Sequence, residues 1–335
     1  MADPPSGTFP SVLEVLRATP ELHSFNADDG TKLVYSVISN GERGGRLGPL
    51  VIAEGKGETV YRYLDFAREM QEKGYGPIFI LDHRGQGFSE QVLKDSIHVK
   101  SFDTYVRDFI KFMDGPVNAE LASRGILQKP AIVAHSMGGP IVNLALHQRP
   151  DLTNRVAYVA PMFEINMGTT MERLHDKPAE YYTGAMRAFG FGEKTLGGSV
   201  TSTPKKMIST DTARMQTSYA IEREMNVRTP KASVSWLNEA LKAGDKVRQP
   251  GTAPSTPSII FEGQFDTLVS NTALKDYACG AQSCTLVELP GAHALHQEKD
   301  PVRHTLEDKI DDFFQDRQIK DPEIGCENLY KVIVR

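Results

Sequence analysis

Short apolar runs that alternate with stretches of helical periodicity leave a chain few ways to fold. Leu50 to Ala53, Pro77 to Leu81, Ala131 to Ala134 and Val156 to Ala160 read as buried strands. Between them, Val60 to Lys73, Ser101 to Met113 and Met137 to His147 carry apolar residues at helical spacing. Tyr63, Ala67 and Met70 recur in this way, and Gly74 supplies a stop. A further strand, Thr31 to Ser39, follows a polar, Pro-containing lead-in, and Arg43 to Pro49 is a Gly-rich turn. This alternation makes βαβ units, and hence an α/β fold with a mainly parallel central sheet flanked by helices on both faces. It stops near Pro161. After a linker over Pro250 to Pro257 it resumes with a strand (Ser258 to Glu262), a helix (Thr272 to Cys279), a strand (Thr285 to Leu289) and a helix (Pro301 to Phe314). The chain therefore divides into a first core part, residues 1–161, an inserted and mostly helical module, 162–245, and a second core part, 246–335.

A length of 335 residues suits one α/β core with an insertion, and 40% hydrophobic with 24% charged residues is the balance of an ordinary globular protein. A formal net charge of −5 lacks the basic footprint of a nucleic-acid binder. No apolar run approaches the roughly 18 residues of a membrane-spanning helix. Met1 to Pro10 shows no basic stretch followed by an apolar one, so no signal peptide is expected in the sequence as it stands. This leaves a soluble protein in the cytoplasm or at a membrane periphery, or in the periplasm or outside the cell had a leader been removed. Three cysteines are too few for a disulfide framework and lack zinc-ligand spacing. Cys279 and Cys284 flank Gly-Ala-Gln-Ser and can close a small disulfide, two free thiols being the alternative, with Cys326 unpaired either way.

The chemistry concentrates at Ala134-His135-Ser136-Met137-Gly138-Gly139, between an apolar strand and a helix. A serine on a sharp strand-to-helix turn is held exposed, and small residues two before and two after it, here Ala134 and Gly138, relieve collisions. The bland alternative is a helix N-cap. A serine hydroxyl needs a base oriented by an acid. Strand 258–262 runs into Gly263-Gln264-Phe265-Asp266, and strand 285–289 runs into Pro290-Gly291-Ala292-His293. Both loops open at the same sheet edge as Ser136. The expected catalytic set is therefore Ser136 as nucleophile, Asp266 as acid and His293 as base. Rivals are His296 and His304 for the base and Glu164 for the acid, while His135 is given a packing or hydrogen-bonding role. The oxyanion donors are expected to be the backbone N–H groups of Met137 and Lys56, the latter in Glu54-Gly55-Lys56-Gly57. That loop, with Asp82 ending the next strand, also imitates a dinucleotide-binding unit, but Val60 stands where its third glycine belongs. Asp82 to Ser89 reads better as a tight loop whose glycines and Asp-Arg pair brace the site.

These residues resemble the lysophospholipase L2 branch of the α/β-hydrolases, which is related to the monoacylglycerol lipases. The matching pieces are DHRGQGFS at 82–89, AHSMGG around Ser136, APMF at 160–163, FEGQFDTLVSN at 261–271 and PGAHALHQEKD at 290–300. The resemblance covers roughly residues 25 to 315. It implies an α/β-hydrolase fold with a helical cap over residues 162–245, the same Ser136, Asp266 and His293, and no metal or cofactor. Glu54-Gly55 departs from the His-Gly usual in the oxyanion loop of related lipases, and residues 164–250 match only loosely.

The inserted segment holds seven of the chain's eleven methionines and eleven basic against ten acidic residues. Methionines can line a wall for acyl chains or fill the insertion's own core, readings of equal weight. A Lys56 side chain facing a phosphate headgroup would favour a lysophospholipid over a neutral glyceride. The leading expectation is a serine ester hydrolase that releases a fatty acid from a lysophospholipid, acting on a small-molecule lipid ester with peripheral membrane contact through apolar residues. A monoacylglycerol lipase or general carboxylesterase is the nearest alternative, an aminopeptidase the next, and a non-catalytic ligand receptor a reading of another class.

Overall fold

The computed structural model describes residues 21–39, 44–167, 177–196, 205–227 and 230–318. Eight strands form one sheet: β1 (Leu22–Asn26), β2 (Lys32–Ile38), β3 (Gly48–Ala53), β4 (Tyr75–Asp82), β6 (Ala131–His135), β7 (Val156–Val159), β9 (Ser258–Gly263) and β10 (Cys284–Leu289). Their spatial order is β1-β2-β4-β3-β6-β7-β9-β10. The β1·β2 and β2·β4 pairs are antiparallel, and every pair from β4 through β10 is parallel. β3 and β4 are buried at every residue, as strands covered on both faces must be. Sequence reading takes β1 for a polar lead-in because an edge strand buries one face only, and His23, Ser24 and Asn26 mask the period.

The helices of the core are α1 (Leu64–Lys73), α2 (Asp103–Phe112), α3 (Asn118–Ser123), α4 (Gly138–Gln148), α9 (Asn271–Gly280) and α10 (Asp300–Phe314). The periodic segment that starts at Val60 opens as a 3-10 turn, Val60–Tyr63, before α1 takes over. The helix expected to end at Met113 continues through a π turn, Met113–Val117, into α3. Pro116 lies inside that turn and cannot donate to the ladder, so the backbone widens around it instead of stopping. Side chains of α2 and α4 pack on one sheet face (Phe109, Phe112, Ile141, Ala145) and those of α1 and α10 on the other (Phe66, Met70, Leu306, Ile310).

Between β7 and β9 the chain places α5 (Lys177–Ala188), α6 (Lys205–Ile208), α7 (Thr212–Glu224), the two-residue β8 (Lys231–Ala232) and α8 (Val234–Arg248). Ser233 caps α8 by accepting the Trp236 N–H at 3.0 Å. Trp236, Ala240, Ala243 and Val247 recur at helical spacing along α8 and join the core cluster of α2 and α4. β8 pairs in parallel with β5 (Ser96–Ile97), apart from the main sheet. Met162 and Met215 are buried, Met167, Met186, Met207 and Met225 are half-buried, and Met171 lies outside the described residues. Among the described residues no helix is long and apolar enough to cross a membrane.

The cysteine expectation is corrected. Cys284 is a free thiol whereas Cys279 is disulfide-bonded, so these two are not joined to each other. Cys284 begins β10, whose ladder to β9 fixes the direction of its side chain independently of the turn before it. Cys326 lies outside the described residues.

Candidate active site

Parallel pairing decides which residues meet. His135 on β6 is opposite Val159, and Leu289 on β10 is opposite Gly263 on β9, so the residues following these strands emerge at one sheet edge. Ser136 follows β6 with φ +48°, a left-handed conformation in which a non-glycine residue is strained. The turn is tight enough to exclude side chains around it. A Cβ on Gly138 would lie 2.2 Å from the Ala53 carbonyl oxygen, and one on Gly139 would lie 2.4 Å from the Pro161 Cβ. Ser136 is thus not the N-cap of α4; Met137 holds that position.

The structure brings Ser136, His293 and Asp266 together. His293 Nε2 lies 2.9 Å from Ser136 Oγ, and His293 Nδ1 lies 2.7 Å from Asp266 Oδ2. Asp266 Oδ1 accepts the backbone N–H groups of Leu268 and Val269 at 2.7 and 3.2 Å. Burial pushes the Asp266 carboxyl up, but the imidazole of His293 and the two N–H groups outweigh it and hold the group below the usual carboxylate range. Burial pushes His293 down, and the charge and hydrogen bond of Asp266 overcome this and raise it.

The backbone N–H of Gly55 donates to Glu58 Oε2 at 2.8 Å, and that of Gly57 donates to Gln86 Oε1 at 2.9 Å. Lys56 lies between them, and its N–H has no acceptor among the described residues; nor has that of Met137. These are the two donors expected for an oxyanion, and both are open.

The rival assignments fall elsewhere. His296 is buried, stacks on Tyr63 with ring centroids 4.5 Å apart, and is held well below the usual imidazole range by burial and by His135. His304 lies on the outer side of α10 beside Glu69. Glu164 pairs with Arg248. Asp82 and Arg84 do not pair with each other, contrary to the expected Asp-Arg brace. Asp82 accepts the N–H groups of Val60 and Phe88, while Arg84 is bidentate to Asp108 and reaches Asp29. A dinucleotide has no place here, because the glycine N–H groups of the 55–57 loop and the Asp82 carboxylate are already taken.

Sequence reading missed a buried hub behind the site. Glu58 accepts from Gly55 and from the Tyr63 hydroxyl and lies 3.1 Å from His135 Nδ1. His135 Nε2 lies 3.3 Å from the carbonyl oxygen of His293, which it can only approach as donor. One carboxylate thereby links the 55–57 loop, the Ser136 turn and the His293 loop. Burial raises Glu58, but His135 and Arg62 outweigh it and hold the group well below its ordinary range. Gln86 adds a second tie, donating to Glu54 Oε1 and to the Gly55 carbonyl, each at 2.8 Å. Glu58 and Tyr63 stand five residues apart, which is not a helical period, so no pattern in the sequence singles them out.

Comparison with known proteins identifies a family and relatives for the chain. The family model described as serine aminopeptidase, S33, matches residues 46–300, more than half of the chain. Lysophospholipase L2 of Escherichia coli strain K12 is 28% identical over 288 residues, covering 79% of each chain. A monoglyceride lipase homolog of Monkeypox virus is 25% identical over 269 residues, covering 79% of this chain and 88% of the relative. Among solved structures, a soluble variant of monoglyceride lipase from Saccharomyces cerevisiae, in complex with a substrate analog, superposes with a TM-score of 0.71. It is 18% identical and covers 90% of this chain and 96% of its own. At that identity the superposition shows a shared α/β-hydrolase fold.

Proposed function

The chain belongs to the serine aminopeptidase, S33, family of α/β-hydrolases, and from that premise we propose that it is a serine ester hydrolase releasing fatty acids from lysophospholipids. The observation that carries the reading is the unbroken contact from Asp266 through His293 to Ser136, with two open N–H groups beside it. Ser136 Oγ attacks the ester carbonyl while His293 Nε2 takes its proton. Asp266 holds the imidazole through Nδ1 and stabilises the imidazolium that forms. The oxyanion receives the N–H groups of Met137 and Lys56. His293 then gives its proton to the departing glycerol oxygen, leaving an acyl-enzyme. Water, deprotonated by His293, releases the acid and restores Ser136. No step in this scheme uses a metal or a cofactor.

The family description makes peptide hydrolysis the competing reading. An aminopeptidase must hold its substrate's α-ammonium, which calls for a carboxylate facing the pocket. Near Ser136 the carboxylates of Glu58, Asp266 and Glu298 are bound to protein donors, Glu54 is fully buried, accepts from Gln86 through Oε1 and is pushed up by burial, and the half-buried charge is a lysine, Lys56. This favours an ester with an uncharged or anionic alcohol portion. The lysophospholipase of Escherichia coli at 28% identity supports the same choice. We further propose that the inserted helices act as a cap that meets the lipid surface. Tyr181 and Tyr182 of α5 and Phe189 just beyond it are exposed by 74, 66 and 79%, an apolar group without function in water.

The deciding experiment is fatty-acid release from a lysophospholipid and a monoacylglycerol sharing one acyl chain, with an aminoacyl p-nitroanilide as third substrate and Ser136→Ala as blank. The reading requires release from the lysophospholipid that vanishes in the blank. Turnover of the anilide alone, or release that survives Ser136→Ala, would overturn it.

A further inference from the structure

From residue 48 to residue 64 every residue is buried except Lys56. Its ammonium lies 5.4 Å from the ring centroid of Trp236 on α8, so the side chain leaves the loop beside Ser136 and reaches toward the inserted helices. Among the described residues no carboxylate forms an ion pair with it. Glu58, two positions on, is bound to Gly55, Tyr63 and His135, and Arg62 is bidentate to Glu222. Burial and the like charge of Arg62 push the Lys56 ammonium down to about 8, against a smaller opposing effect of Glu58. A cation withdrawn from water beside another cation is costly, and the face of one indole recovers only part of that cost. A bound anion would supply the rest.

Position says which anion. The N–H of Lys56 is a proposed oxyanion donor, so its four-carbon stem starts at the reacting ester and carries the charge away from it to the ring of Trp236 on α8. In a lysophospholipid the glycerol backbone carries the phosphate away from the ester over a similar span. The ring face of Trp236, which a quaternary ammonium would otherwise seek, already faces Lys56. We propose that the Lys56 side chain is a specificity determinant that binds the headgroup phosphate, so that anionic lysophospholipids are favoured over zwitterionic and uncharged substrates. This rests on the ester-hydrolase reading above.

The test compares kcat/KM on lysophosphatidylglycerol, lysophosphatidylcholine and a monoacylglycerol of one acyl chain for wild type, Lys56→Met and Lys56→Arg. Losing a charge-assisted contact to phosphate should cut the ratio of lysophosphatidylglycerol to monoacylglycerol about tenfold or more in Lys56→Met, mainly through KM, and Lys56→Arg should retain it. The ratio is internal to each variant, so partial misfolding cannot imitate the effect. In wild type the ratio should also fall as pH rises through about 8, where the ammonium loses its proton, and it should be flat in Lys56→Met. The charged groups facing it do not titrate there: Glu58 in its own loop is held far below, and Arg62 of the 3-10 turn, paired with Glu222 and under the Tyr219 ring of α7, is held far above. Glycerol 3-phosphate, tested as inhibitor of p-nitrophenyl butyrate hydrolysis, separates the two readings. It should inhibit wild type about tenfold more strongly than Lys56→Met. Equal losses on charged and uncharged lipids, or equal inhibition of both proteins, would overturn the role of Lys56. A wild type that prefers the glyceride while remaining sensitive to glycerol 3-phosphate would instead overturn the substrate reading and leave the phosphate site standing.

Discussion

In the proposed mechanism His293 accepts a proton only as neutral imidazole, and Asp266 stabilises the form that cannot. Because the Asp266 carboxylate raises His293 despite its burial, the acid limb of kcat/KM should lie above the ordinary imidazole value of about 6.5. Activity therefore climbs with pH through that limb. Asp266→Asn removes the charge and should lower kcat by roughly 10³ to 10⁴-fold while moving the limb to lower pH. A limb at or below 6.5 in the wild type, or one that Asp266→Asn leaves in place, would contradict the assignment. That Ser136, Asp266 and His293 meet at one edge was readable in the sequence, because each follows a recognisable strand and parallel strands deliver their ends to the same side. The Glu58, Tyr63, His135 and His296 cluster was not readable. Its members come from separate elements, a loop, two 3-10 turns and the end of β6, with no shared period, and only folding makes one carboxylate serve Gly55, Tyr63 and His135 at once.

Two elements of the insertion carry their own expectations. α7 is latched to the core by Glu222, whose carboxylate is bidentate to Arg62, both side chains being buried. Removing one partner strands a buried charge, so Glu222→Leu should destabilise the protein by about 3 to 5 kcal/mol, and Arg62→Met with Glu222→Leu should recover most of the loss. Denaturant melts of the two variants decide this, and equal stability of both would show the pair to be without weight. α5 exposes Tyr181 and Tyr182, with Phe189 following it, and these should anchor on lipid. Tyr181→Ser with Phe189→Ser should weaken sedimentation with phosphatidylcholine vesicles severalfold while leaving hydrolysis of p-nitrophenyl butyrate intact. Unchanged sedimentation would refute the anchoring role. The core elements were legible because buried strands and amphipathic helices write their period into the sequence. The edge strand β1 and the π turn around Pro116 were not, since one buries a single face and the other depends on how a helix accommodates a proline.

At the scale of the whole molecule, the buried titratable groups set a conflict between stability and activity. Burial pushes the carboxyls of Asp82, Glu262 and Glu307 up to about 7, and that of Glu54 well above its ordinary range. A carboxyl whose folded value exceeds its unfolded one binds its proton more tightly in the native state. Its contribution is complete below about 4 and is lost as pH rises through the folded value. Buried neutral histidines act in the opposite sense. His83, pushed down to about 3, and His296 favour the unfolded chain once pH falls below about 6.5, because only there do they take up a proton. The two groups oppose each other between about 4 and 6.5, which leaves a plateau. Above about 6.5 His83 and His296 are neutral in both states, while the raised carboxyls, joined by His293 whose proton Asp266 holds, lose stability as pH rises, so Tm should fall between pH 6.5 and 8. Glu262→Gln with Glu307→Gln should flatten that fall, since neither replacement can ionise. Over the same interval the loss of the His293 proton raises the rate of the proposed reaction. The enzyme thus gains activity along the axis on which its core loses stability. Thermal melts recorded across this range, beside initial rates on one soluble ester, test both slopes, and a Tm that rises with pH through 7 would show that the buried carboxyls are ionised in the folded protein.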